Sequence, residues 1–200
     1  MATPADRPLL ERSAIVTAAR EMIRVGGLEA LSLRRLAAVL RVTAAALYAH
    51  VADKKDLLRA VAEGEFEALL AAYEAVPGES ALERITGQAQ AYVDHARREP
   101  ELFRVMFLFP PGPFETGATA SELPGATAAF TIASSTVADA MAEGSVAAGD
   151  VFETTLVLWA AMHGVASVLQ LGLGLDTATE DRLVREMLSH LLAGYAPTSG

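Results

Sequence analysis

The chain has 200 residues, enough for one large domain or two small ones, and 52% hydrophobic against 20% charged residues describes a folded protein rather than a disordered one. With no cysteine, disulfides, a thiol nucleophile, iron–sulfur clusters and cysteine-ligated zinc are excluded. The formal charge of -9 hides a polarity: residues 1–59 hold ten basic and six acidic side chains (+4), and residues 60–200 hold six and nineteen (-13), so an anionic partner is expected at the N-terminal part.

Residues 1–12 carry Asp6, Arg7, Glu11 and Arg12 and lack the apolar run of a signal peptide, so no cleaved leader is expected. Ile15, Ala18, Ala19, Met22 and Ile23 then recur at helical spacing and predict a first helix, ended by Gly26-Gly27. Ser32 caps a second over Leu33, Leu36, Ala37 and Leu40. After the break Arg41-Val42-Thr43, Thr43 caps a third from Ala44 to about His50. Two short helices around a tight turn read as helix-turn-helix.

A fourth helix runs from near Asp53 to about Ala75 on the stripe Leu58, Ala62, Phe66, Leu69, Tyr73. Ser80 and Glu83 form a capping box for a fifth reaching about Arg98, and Pro100 suits the first turn of a short sixth. Residues 110–124, rich in Pro, Gly, Thr and Ser, read as a mobile loop. Three more helices are expected over about 125–143, 149–171 and 179–193. No strand-like alternation interrupts them, so the fold class is all-α with about nine helices. The apolar stretch 156–175 contains His163, Ser167 and Gln170 and has acidic flanks, Glu153 and Asp176; it is expected to be a buried helix rather than a membrane span.

The segment Ser32 to Leu58, with its capped second helix, the run Leu47-Tyr48-Ala49-His50 and a lysine opening the fourth helix, resembles the DNA-binding domain of the tetracycline-repressor (TetR) family of bacterial regulators. The resemblance implies a third helix entering the major groove while neighbouring side chains grip phosphates. Elementary physics assigns compatible roles, because helix N-termini offer free N–H groups and a positive dipole end to phosphate. Lys54 stands at one such end and Thr43 at another, where capping alone would also account for it. The Tyr48 hydroxyl can reach the DNA backbone; the other reading is a ring packed in the small core. Arg34 and Arg35 open the second helix as either base and phosphate contacts or a solvated basic face, and His50 joins the candidate contacts.

Two positions depart from the family pattern. Arg41 replaces the glycine common in the turn, which costs on the order of 1 kcal/mol if φ is positive there and is offset by a phosphate contact. Val51 replaces a frequent phenylalanine, which weakens packing of the third helix on the fourth. The recognition helix opens Ala44-Ala45-Ala46, without bidentate donors for base edges, so modest intrinsic specificity is expected, from alanine contacts with thymine methyls, Arg34 or Arg35, Tyr48 and DNA shape.

The motif Trp159-Ala-Ala-Met-His163-Gly164 and the stretch Ala96 to Phe107 resemble a subgroup of the same family with a Trp-His-Gly ligand domain. The resemblance implies that the last two helices pair with a second copy as a four-helix bundle. Ala160, Ala161 and Gly164 permit close approach, and Leu169, Leu183, Met187, Leu188 and Leu191 supply apolar surface; these residues would otherwise be intramolecular core. Tyr92, Phe103, Met106, Phe107, Phe109, Phe130, Trp159 and Met162 are either core or the wall of a small apolar ligand pocket, with His163 as its polar contact or as a buried histidine satisfied by a carbonyl.

The four histidines are far apart and make no metal-ligand spacing, and no hydrolase or nucleotide-binding motif is present, so neither catalysis, a metal nor a cofactor is expected. The expectation is a cytoplasmic, homodimeric DNA-binding regulator, a repressor of a pseudo-palindromic double-stranded operator released by a small, largely apolar effector, without a membrane partner. Residues 1–55 would form the DNA-binding domain and 56–200 the ligand-binding and dimerisation domain. The competing reading is a helical small-molecule binding protein with a vestigial helix-turn-helix, which the Ala44–Ala46 opening keeps open.

Overall fold

The computed structural model describes residues 10–109 and 123–197. Among these residues all regular structure is helical: α1 (Arg12–Gly26), a 3-10 turn (Leu28–Ala30), α2 (Leu33–Leu40), α3 (Ala44–Tyr48), α4 (Lys54–Glu74), α5 (Ala81–Arg98), α6 (Pro100–Met106), α7 (Pro124–Ala142), α8 (Val151–Leu169) and α9 (Thr177–Gly194). The chain is all-α, as its periodicity predicts. The loop expected over 110–124 lies almost wholly outside the described residues.

The described residues form two compact units, one from residues 10–64 and 101–109, the other from 65–100 and 123–197. In the first, Ile15, Ala19 and Ile23 of α1 are fully buried at four-residue spacing. Leu36 of α2, Leu47 of α3 and Leu57, Val61 and Ala62 of α4 complete a core that each short helix alone could not supply. Arg12 ties α1 to α4 through a two-pronged pair with Asp56, 2.7 and 3.0 Å, and also donates to the His50 carbonyl at 2.7 Å. The short α6 belongs to this unit and buries Leu102, Phe103, Val105 and Met106.

In the second unit, α5, α7, α8 and α9 pack on one another. Ala81 and Ile85 of α5, Val137 and Ala140 of α7, and Leu158 of α8 make a buried cluster, against which Leu191 and Leu192 of α9 lean. The predicted capping box is formed: Glu83 N donates to Ser80 Oγ, and the Glu83 carboxylate accepts from Ser80 N. Helix α8 starts and ends two residues inside its expected span, because Asp150 caps it and the chain leaves at Gln170. Helix α9 starts two residues earlier than expected, because Asp176 caps it, accepting from Thr179 N at 2.8 Å.

By length and composition α8 qualifies to cross a membrane. One face, with Thr154, Thr155, Leu158, Met162, Val165 and Ala166, is buried within the unit, while Phe152, Val157, Ala160, Gly164 and Val168 are exposed.

Candidate functional site

The helix-turn-helix is built by local hydrogen bonds. Ser32 Oγ accepts from Arg35 N at 3.2 Å and opens α2, which ends with Arg41 in the left-handed region at φ 56°, ψ 40°. That conformation turns the chain, so Arg41 N and Val42 N donate back to Ala38 and Ala37 carbonyls. The strain anticipated for a non-glycine turn residue is thus present. Thr43 Oγ1 then accepts from Ala46 N at 3.2 Å, capping α3. The helix closes at Tyr48, earlier than the expected His50, because Ala49 and His50 complete a turn before α4.

This geometry buries Leu47 and leaves Thr43, Ala44, Ala45 and Tyr48 exposed on α3. Tyr48 is 57% exposed, which rules out a ring packed in the core. Arg34, Arg35 and Arg41 are exposed too, while His50 and Lys54 are half-buried. Lys54 is the first residue of α4, whose opening turn is held by Asp53 Oδ1 accepting from Asp56 N at 2.7 Å and Asp56 Oδ2 accepting from Ala52 N at 2.9 Å. The Arg12 guanidinium holds the Asp56 carboxyl below its usual range, aided by the Ala52 N–H.

The aromatic candidates are divided between the two units. Phe103, Met106, Phe107 and Phe109 belong to the one containing the helix-turn-helix, where Phe103 and Phe107 meet edge to face at 5.0 Å and Arg59 lies over the Phe109 ring at 5.7 Å. Tyr92, Phe130, Trp159, Met162 and His163 belong to the other. There the Tyr92 hydroxyl is 2.8 Å from His163 Nδ1 and also bonds the Trp159 side chain. Since an indole N–H can only donate, Tyr92 accepts from Trp159, while the direction of its bond with His163 Nδ1 follows the imidazole tautomer. Burial pushes the Tyr92 hydroxyl pKa well up and the His163 pKa down, so both groups are neutral near pH 7. Trp159 and His163, four residues apart on α8, stack at 5.5 Å. Met162 is buried, whereas Phe130 pairs with the exposed Phe152 at 5.7 Å.

Of the expected interface residues, Ala160 and Gly164 are exposed on α8, and Leu169, Leu183, Met187 and Leu191 are half-buried. Leu191 leans on the intramolecular cluster.

Residues 15–61 match the family model for bacterial regulatory proteins of the tetR family, and residues 85–191 match that for the tetracyclin repressor-like C-terminal domain. The chain belongs to the TetR family. It is accordingly a transcriptional regulator with an N-terminal DNA-binding domain and a C-terminal ligand-binding domain. A Rhodococcus sp. RHA1 protein of unknown function is 30% identical, with TM-score 0.80 over 98% of this chain and all of that one. The same fold, at low identity, recurs in a tetR-family regulatory protein from Rhodococcus RHA1 (18%, TM-score 0.67, covering 94% and 98% of the two chains). A ketosteroid transcriptional regulator of Mycobacterium tuberculosis also shares it (17%, TM-score 0.63, 93% and 95%). Comparison with curated proteins gives no match.

Two polar features of this TetR-family chain were not anticipated. Glu65 and His95 are both buried, with Nε2 and Oε2 3.4 Å apart. The available signal was a glutamate four residues after Val61 and before Leu69, on a buried stripe of α4. Arg97 joins three carboxylates, Asp94, Glu180 and Asp181, two of them more than eighty residues away in the chain, which no local pattern indicates.

Proposed function

We propose that this TetR-family regulator is a homodimeric repressor whose two heads read successive major grooves of a pseudo-palindromic operator, and that a small, largely apolar effector in the body releases it. The observation carrying this reading is the exposed face of Thr43, Ala44, Ala45 and Tyr48 on a short capped helix, with Arg34, Arg35 and Arg41 exposed beside it. An exposed tyrosine hydroxyl and exposed guanidinium groups are the kinds of donor that hold phosphate oxygens. In this reading Tyr48, Lys54, Thr43, His50 and the arginines hold the sugar–phosphate backbone, and Ala44 and Ala45 meet thymine methyls.

The effector lodges against Tyr92, Trp159, Met162 and His163, in a domain of the Trp-His-Gly subgroup, with the polar trio orienting an otherwise apolar molecule. Its binding is transmitted through α4, whose two halves belong to the two compact units, to the spacing of the heads. A coupling of about 1–3 kcal/mol changes operator affinity roughly 5- to 150-fold. The exposed faces of α8 and α9 pair two copies. The protein acts in the cytoplasm, where its DNA is, and catalyses nothing.

Fluorescence anisotropy against a labelled fragment from upstream of the gene, titrated with salt, tests the reading. Preference over random DNA, a steep salt slope, and weakening in both Tyr48→Ala and Lys54→Ala are expected. No preference and no effect of either substitution would favour the vestigial head that the Ala44–Ala46 opening allows.

A further inference from the structure

Helix α5 ends in a basic turn and α9 opens in an acidic one, and Arg97 links them. Its Nη1 donates to Asp181 Oδ1 at 2.7 Å and to Asp94 Oδ1 at 3.2 Å. Nε stands 3.2 Å from Glu180 Oε2, within ion-pair distance but making no hydrogen bond, and Nη2 is buried without an acceptor. The side-chain amide nitrogen of Gln170, the residue that closes α8, is likewise buried and unpaired. Both residues line one cavity of about 380 Å³, whose walls include Val93, Ala96, Ala166 and Leu169.

A buried N–H without an acceptor is costly and uncommon in native proteins, so unpaired donors from two helices bordering the same cavity call for an acceptor inside it. The charge around them restricts which acceptor. Three carboxylates share the single guanidinium of Arg97, leaving the surroundings negative and unfavourable to an anion. The remaining wall is largely aliphatic, which favours a compact apolar body.

We propose that this cavity between α5, α8 and α9 is a second small-molecule site, taking a neutral cyclic amide, lactone or ketone whose carbonyl oxygen accepts from Arg97 Nη2 and Gln170 Nε2. None of the residues holding its polar end belongs to the Tyr92–Trp159–His163 group, so the site is separate from the effector position proposed above.

The test uses the full-length, 15N-labelled protein and ε-caprolactam as probe, following the Arg97 Nε–H and Gln170 side-chain amide signals by NMR. Both signals should shift saturably. Cyclohexanecarboxylate, of similar size but anionic, should leave them in place. Gln170→Leu should weaken caprolactam binding about tenfold while leaving the thermal transition in place. Ala166→Leu, which fills the cavity from α8, should abolish binding. No saturable shift up to the probe's solubility, equal binding of the carboxylate, or binding undiminished by both substitutions would overturn the site. Because no DNA is present, failure here leaves the operator reading standing, and failure of operator binding leaves this site standing.

Discussion

Arg41 is the only non-glycine residue with positive φ among the described ones. Its backbone turn brings the Thr43-capped α3 round after α2, and a left-handed conformation costs an L-residue about 1–2 kcal/mol. Arg41→Gly should therefore raise the stability of the DNA-free protein by about 1 kcal/mol, read as a higher unfolding midpoint in urea. It should also lower the salt slope of operator binding by about one phosphate contact, read by anisotropy. Strain at this position was foreseeable from the arginine in the turn; its φ value was not, since it depends on where α3 docks.

Asp56 sets a second residue-scale expectation. Its folded pKa lies below the ordinary 3.8, first because Arg12 donates to it. A depressed carboxyl stabilises the fold fully above the unfolded value, and that stabilisation is lost as pH falls through the folded value. Arg12→Ala should therefore be less stable than the parent by up to about 1 kcal/mol at pH 7, the gap narrowing in acid denaturation as pH falls through the folded value of Asp56.

At the scale of elements, caps and periods were legible wherever their partners lie within a few residues. Ser32, Thr43 and Ser80 each cap the helix expected of them. The start of α9, expected near residue 179, lies at Thr177 because Asp176 is the cap, and Glu180 and Asp181 of its first turns pair with Arg97 of α5. Close approaches were not legible at all. A Cβ on Gly87 of α5 would stand 2.3 Å from Val76 Cγ1, so the chain entering α5 folds back against a bare backbone. Gly87→Ala should cost about 1–3 kcal/mol despite the better helix propensity of alanine, lowering the midpoint of thermal unfolding.

For the whole molecule, the exposed face of α8 is the feature that composition alone misrepresents. Its residues read as one apolar run, but packing against α5, α7 and α9 buries one side and leaves Val157, Ala160, Gly164 and Val168 outside. If two copies meet there, Gly164→Arg, where nothing lies within 4 Å of an added Cβ, should leave the helical circular dichroism unchanged. The same substitution should shift sedimentation from dimer to monomer and cost operator affinity. An unchanged sedimentation coefficient would move the interface elsewhere.

Helical periods and caps act over short stretches of chain, and from them the all-α class and the helix-turn-helix could be read directly. Pairings between distant residues could not. Tyr92 meets His163 across 71 positions, Arg97 meets Asp181 across 84, and Glu65 lies against His95. Which aromatic side chains share a unit, and which buried donors lack acceptors, follow from how whole helices pack, because side-chain volume and burial are settled collectively rather than by neighbours in the chain.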